Sequence, residues 1–155
     1  MKEHLVIRPA SAADVDGIFE LLEIYAPGGT VLRRSKEDIA FFIGNFIVAE
    51  LAGKVCGCAA LRDFGGDLLE LRSVVVDPAR QGCGIGRAMV EFIVADVETQ
   101  RPHFRLFTLT TSPGFFQALG FRVTEKESFP EKIWSDCAKC AKFARCDETA
   151  LIIAR

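Results

Sequence analysis

Residues 74–87, VVVDPARQGCGIGR, place Gly82, Gly84 and Gly86 within five positions, between a valine run and an apolar-periodic stretch. Each glycine costs conformational entropy on folding, so this density implies that something approaches the main chain there. A strand that turns through such a loop into a helix presents backbone N–H groups at the positive end of the helix dipole. Phosphate oxygens suit that environment. The spacing is not a P-loop, because no Lys-Ser/Thr pair follows Gly86. It is not a dinucleotide fingerprint either, whose third glycine would fall one residue later. Arg87 and Arg80 can add charge, although Arg80 reads equally well as a solvated loop residue.

A second constellation lies in the tail, DCAKCAKFARCDE, where Cys137, Cys140 and Cys146 follow a C-x2-C-x5-C pattern. Three thiolates with Asp136, Asp147 or water could hold a structural zinc. The second pair of a zinc finger is missing, and the only histidines are His4 and His103. Reduced structural cysteines are therefore the preferred reading, and zinc is not favoured. Cys83, inside the glycine loop, reads as a small filler.

The elements that must position these groups follow from periodicity. His4–Arg8 reads as a strand. Ser11 and Asp14 open a helix with Val15, Ile18, Phe19 and Leu22 inward, and Ser35 caps a second with Ile39, Phe42, Ile43 and Phe46 inward. FIVAEL and VCGCAALRDF form a hairpin around Ala52-Gly53-Lys54, and LLELRSVVV is the next strand. A helix over 84–98 carries Ile85, Ala88, Met89, Phe92 and Ile93. Strand RLFTLT, a short helix ending at Gly120 and a last strand ETALIIA complete an α+β layer of helices on a mixed sheet. The 155 residues suit one domain, 1–155, with the Cys-bearing segment 129–148 as part of it. A net charge of −2 argues against a nucleic-acid partner. No apolar run reaches the ~18 residues of a membrane helix, and the N-terminus lacks a signal-peptide pattern, so the expected location is cytoplasmic.

Gln81-Gly82-Cys83-Gly84-Ile85-Gly86 resembles the Q/R-x-x-G-x-G/A loop of GNAT acyltransferases, and FFQALGF falls where that family has F-Y-x-x-x-G-F. The likeness spans essentially the whole chain. It implies the GNAT acyl-CoA N-acyltransferase fold, with a mostly antiparallel mixed sheet flanked by helices, and acetyl-CoA as co-substrate. TVLRRSKEDI, CAAL, LFTLTTS and FPEK together look like the acetyltransferase domain of N-acetylglutamate synthases, nearest to their short stand-alone forms. That similarity implies acetyl transfer to the α-amino group of L-glutamate, the first step of arginine biosynthesis. A homodimer is a family-level expectation.

The resemblance also suggests roles. Backbone groups of Val74, Val75 and Val76 would meet the pantetheine, and Gln81, Gly82, Cys83, Gly84, Ile85, Gly86 and Arg87 the pyrophosphate. Glu70 is the candidate base. Regular strand alternation would put it on one face with Arg72 and Val74, and the alternative is a structural ion pair with Arg72 or another base. Where many members have a tyrosine this chain has Phe116, so Ser112, its neighbour Thr111 or water would protonate the leaving thiolate. A dicarboxylate acceptor calls for guanidinium or ammonium groups. Arg33 is the first choice and Arg34 the second, unless both are merely solvated. Lys132 and Arg72 are further candidates, and Cys58 would line the acceptor pocket through its backbone. Other acceptors, or a catalytically weak acyl-CoA sensor, are the competing readings.

Overall fold

The computed structural model describes residues 4–28, 31, 33–125 and 148–155. Its strands are β1 (Leu5–Pro9), β2 (Phe46–Leu51), β3 (Lys54–Asp63), β4 (Leu68–Val76), β5 (Arg105–Thr110), β6 (Arg122–Thr124) and β7 (Thr149–Ala154). The helices are α1 (Val15–Tyr25), α2 (Lys36–Phe41), α3 (Ile85–Gln100) and α4 (Pro113–Gln117). Among the described residues the sheet has seven strands in the order β1-β2-β3-β4-β5-β7-β6. β4 and β5 pair in parallel, whereas β1/β2, β2/β3, β5/β7 and β6/β7 are antiparallel. A parallel pair needs a long crossover, which α3 supplies. The expected α+β class with a mixed, mostly antiparallel sheet is what the chain adopts. By contacts it divides into two compact units, Met1–Leu61 with Leu71–Gln100, and Arg62–Glu70 with Arg101–Arg155.

In the first unit, Ser11 and Asp14 form a reciprocal capping box over the 3-10 turn that feeds α1. Ile18, Leu21 and Leu22 of α1 and Ile39 of α2 pack with Phe46, Val48, Cys58, Ala60 and Val75 on one face of the strands. On the other face Ile85 and Met89 of α3 meet Ala49 and Cys56, with Val74 and Val76 against them. The alternation of 74, 75 and 76 between these two clusters is the two-residue period of a strand covered on both sides. Gly57 permits the close seat of α3, because a Cβ there would lie 3.1 Å from Met89 Cε. The β2–β3 hairpin closes through Ala52 (φ 51°) and Gly53 (φ 78°), the left-handed pair that a two-residue turn demands.

Asp14 is nearly buried and accepts from Arg8 at 2.8 and 3.0 Å and from the Ser11 N–H at 2.7 Å, while Arg8 also reaches Glu50 at 3.1 Å. Hydrogen bonds from Arg8, opposed by burial, hold the Asp14 carboxyl below the usual carboxylate range. A depressed folded-state value means that this stabilisation is complete above the unfolded value of about 3.9 and is lost as pH falls through the folded one. Asp14→Asn should therefore cost about 1–2 kcal/mol at neutral pH, a modest figure because Arg8 is partly exposed. Denaturant melts at several pH values check this: the gap between parent and variant should close below about pH 4. A gap unchanged at low pH would rule the ion pair out as its source.

In the second unit, Leu68, Phe107, Ala150 and Ile152 form a core backed by Phe64 and Leu109. Arg101 binds Asp63 at 2.6 Å and Arg105 binds Asp67 at 2.9 Å, which anchors the turn through Gly65 and Gly66. Phe116 of α4 is buried edge-to-face against Phe115 and Phe121, with centroids 4.9 and 5.4 Å apart. Gly120 has φ 96°, as expected of the residue that ends this short helix.

Three expectations need correction. The second helix stops at Phe41 rather than running to Phe46; Phe42 is exposed, Ile43–Asn45 form a 3-10 turn, and Phe46 opens β2. Gly44-Asn45 is the stop signal that the apolar period masked. In α3, which extends to Gln100, Phe92 is exposed, and Val90 and Val97 join Ile85, Met89 and Ile93 in the interior. The third is β6, a three-residue strand that the sequence reading lacked.

Candidate active site

The glycine loop is built from the end of β4 outward. Asp77 Oδ1 accepts from the Ala79 N–H at 3.0 Å, and Pro78 starts a 3-10 turn, so this Asp-Pro pair is a helix-type cap. The Asp77 N–H donates to the Cys56 carbonyl at 2.8 Å, which fixes the turn to β3. Gly82 (φ 79°) and Gly84 (φ 81°) then take left-handed conformations. A Cβ built at either would meet no described atom within 4 Å. Gly57 is thus a packing glycine, whereas these two face open space. The Ala88 N–H bonds the Gly84 carbonyl at 3.0 Å, so α3 begins there, and the N–H groups of Ile85, Gly86 and Arg87 have no acceptor inside the helix. Ile85 is buried and pins the helix start, while Gln81, Cys83 and Arg87 are exposed. Arg87 pairs with Glu91 one helical turn on. Main-chain donors, a dipole's positive end and a nearby guanidinium make this loop fit to receive an anionic group.

Sequence reasoning passed over Tyr25, the last residue of α1. Its hydroxyl donates to the Val76 carbonyl at 2.6 Å and accepts from Gln81 Nε2 at 2.6 Å. The only signal for it was its being the sole tyrosine. No local pattern links residues 56 positions apart.

Along β4 the alternation expected from Glu70 to Val74 is interrupted, because Ser73 has φ 54° within the strand. A left-handed residue inside a strand is the geometry found at bulges. Its carbonyl accepts from Cys58 Sγ at 3.6 Å. The parallel register of β4 with β5 ends at Glu70↔Phe107. Leu71–Val76, the segment that leads into the glycine loop, continues past that last pair.

The remaining candidates are distributed as follows. Arg33 is exposed, with Nε 3.4 Å from Glu23 Oε1. Arg34 is largely covered: Nε lies 2.6 Å from Asp38, and its guanidinium sits 5.0 Å from the Phe46 ring centroid and 5.7 Å from that of Phe42. Cys58 is fully buried, and burial pushes its thiol up to about 12, so it is a neutral filler at ordinary pH. Arg72 is half-buried on β4. The first unit thus holds Arg33, Arg34, Cys58, Arg72, Val74–Val76 and the loop. Glu70, 3% exposed, and Ser112 belong to the second unit. Ser112 is exposed at the start of α4, and its N–H donates to Thr110 Oγ1 at 2.9 Å. Lys132, Cys137, Cys140 and Cys146 lie outside the described residues, and among those described no cluster of metal-ligating side chains forms. Nor is any described helix long and apolar enough to cross a membrane.

Comparison with known proteins bears on this geometry. Residues 43–123 match the acetyltransferase (GNAT) domain family. An uncharacterized N-acetyltransferase of Chlorobaculum tepidum is 40% identical over 94% of each chain. The amino-acid acetyltransferase of Mycobacterium tuberculosis is 40% identical over 81% of this chain and 71% of its own length. Among solved structures, N-acetylglutamate synthase from Neisseria gonorrhoeae, in complex with coenzyme A and N-acetyl-glutamate, superposes with a TM-score of 0.86 at 26% identity. The match covers 99% of this chain but 36% of that one. A Mycobacterium tuberculosis protein solved with coenzyme A gives a TM-score of 0.81 at 32% identity, over 97% of this chain and 99% of its own. With the family domain covering half the chain and relatives this similar along nearly all of it, the chain belongs to the GNAT family of acetyltransferases.

Proposed function

We propose that this acyltransferase moves the acetyl group of acetyl-CoA to the α-amino group of L-glutamate, the entry reaction of arginine synthesis in the cytoplasm. The observation that carries the reading is the loop at Gly82 and Gly84. Its left-handed glycines face open space in a chain whose solved relatives bind coenzyme A. The pyrophosphate would rest on the N–H groups of residues 82–87, and the pantetheine would run along the backbone of Val74–Val76. The glutamate ammonium must lose a proton before its nitrogen can attack, and buried Glu70 is assigned that proton. The amine nitrogen then bonds the thioester carbon and gives up its second proton as the amide forms, while the C–S bond breaks and coenzyme A leaves as thiolate to take that proton. A thiol titrates near about 8.5, so departure without a tyrosine acid is not costly, and water or the Ser112 hydroxyl can return the proton.

Arg33 is assigned to a glutamate carboxylate in preference to Arg34, whose guanidinium is held by Asp38 and two aromatic rings. The test follows release of free coenzyme A with acetyl-CoA and a panel of amino acids. Glutamate should be preferred, and Arg33→Ala should raise its KM about tenfold to a hundredfold, the worth of a charge-assisted contact. Turnover with neutral acceptors alone would refute glutamate. That second reading, a different amino acid or a peptide amine, draws support from the ion pairs that already engage Arg33 and Arg34.

A further inference from the structure

We infer that Tyr25 is a positioning residue for the coenzyme loop, acting through Gln81 and the end of β4. The inference rests on the coenzyme-binding reading above. The Asp77–Arg80 turn has two ends, Val76 before it and Gln81 after it, and one hydroxyl holds both, by its proton on the Val76 carbonyl and its lone pair on the Gln81 amide. Asp77 secures the inside of the turn. Tyr25 secures the outside, at the C-terminal end of a helix whose Leu21 and Leu22 are buried.

The consequence concerns what happens one residue further on. Gly82 and Gly84 have wide conformational freedom, and among the described residues no side chain packs where their Cβ would lie, so only main-chain bonds hold the loop there. A glycine loop left loose must be ordered by its ligand, which weakens binding by the entropy of ordering. Fixing Gln81 at the start and Ile85 at the end leaves a short span between two anchors, so its N–H groups are aimed before the ligand arrives. The Tyr25 proton is committed to a carbonyl, so its role is in ligand affinity rather than in proton transfer.

This reading separates from a merely structural one by a split in kinetic constants. In the full chain, Tyr25→Phe keeps the ring and removes only the hydroxyl. It should raise KM for acetyl-CoA and Kd for coenzyme A about fivefold to tenfold, the worth of one or two neutral hydrogen bonds. kcat and the acceptor KM should stay within twofold of the parent. Gln81→Ala should give a similar rise, and the double variant no more than the larger single effect, because both act on one device. Full additivity of the two, or a Tyr25→Phe chain with unchanged coenzyme affinity, overturns the inference while leaving the coenzyme reading intact. A parent protein with no affinity for coenzyme A overturns both.

Discussion

Glu70→Gln should lower kcat about 10²- to 10⁴-fold, the range for loss of a positioned general base. The substitution keeps the shape of a side chain that is 3% exposed and removes its charge together with its ability to accept the substrate's proton. Affinity for coenzyme A should be unchanged, because the loop belongs to other residues. Steady-state kinetics with both substrates saturating, together with calorimetry for coenzyme A, distinguish this outcome from general damage. If kcat stays within threefold, Glu70 is the structural ion-pair partner that a buried carboxylate can equally be. If kcat and coenzyme affinity fall together, the change has disturbed the fold and the base must be sought elsewhere.

The second large effect is expected at Gly84. Asparagine tolerates left-handed φ better than other side-chain-bearing residues, so Gly84→Asn should cost at most about 1 kcal/mol of stability. A Cβ at this position would meet no described neighbour within 4 Å, so the first of the added atoms is accommodated by the free protein. Those atoms would occupy the volume assigned to the pyrophosphate, so KM for acetyl-CoA should rise at least about tenfold, more than a lost hydrogen bond alone would give. A stable variant with weakened coenzyme binding locates the need for glycine in the ligand. Stable and fully active protein would mean that the loop glycine is incidental.

What could be read from the sequence was what neighbouring residues decide. Valines followed by Asp-Pro, glycines and an amphipathic run specify strand, turn and helix within some twenty residues, and all three stand where expected. The interior of α3 was misjudged at Phe92, because a large apolar residue at the edge of the stripe looks the same in sequence as one at its centre. The end of α2 was hidden by phenylalanines that kept a helical period across Gly44-Asn45. The left-handed Ser73 was invisible, since serine carries no special signal for that conformation, yet it makes the backbone of β4 irregular between Glu70 and Val74. Tyr25 was missed for another reason: its partners are on β4 and beyond it, and long-range pairing is a property of the folded chain alone.

The most direct test of the cradle is a nitrogen-15 NMR titration of the protein with coenzyme A. The account expects the amide signals of Gly82, Gly84 and Gly86 to shift and saturate together with the ligand, while pantetheine, which lacks the pyrophosphate, leaves them near their starting positions. Coenzyme A that saturates the protein without moving those three amides, or that fails to bind, would contradict it.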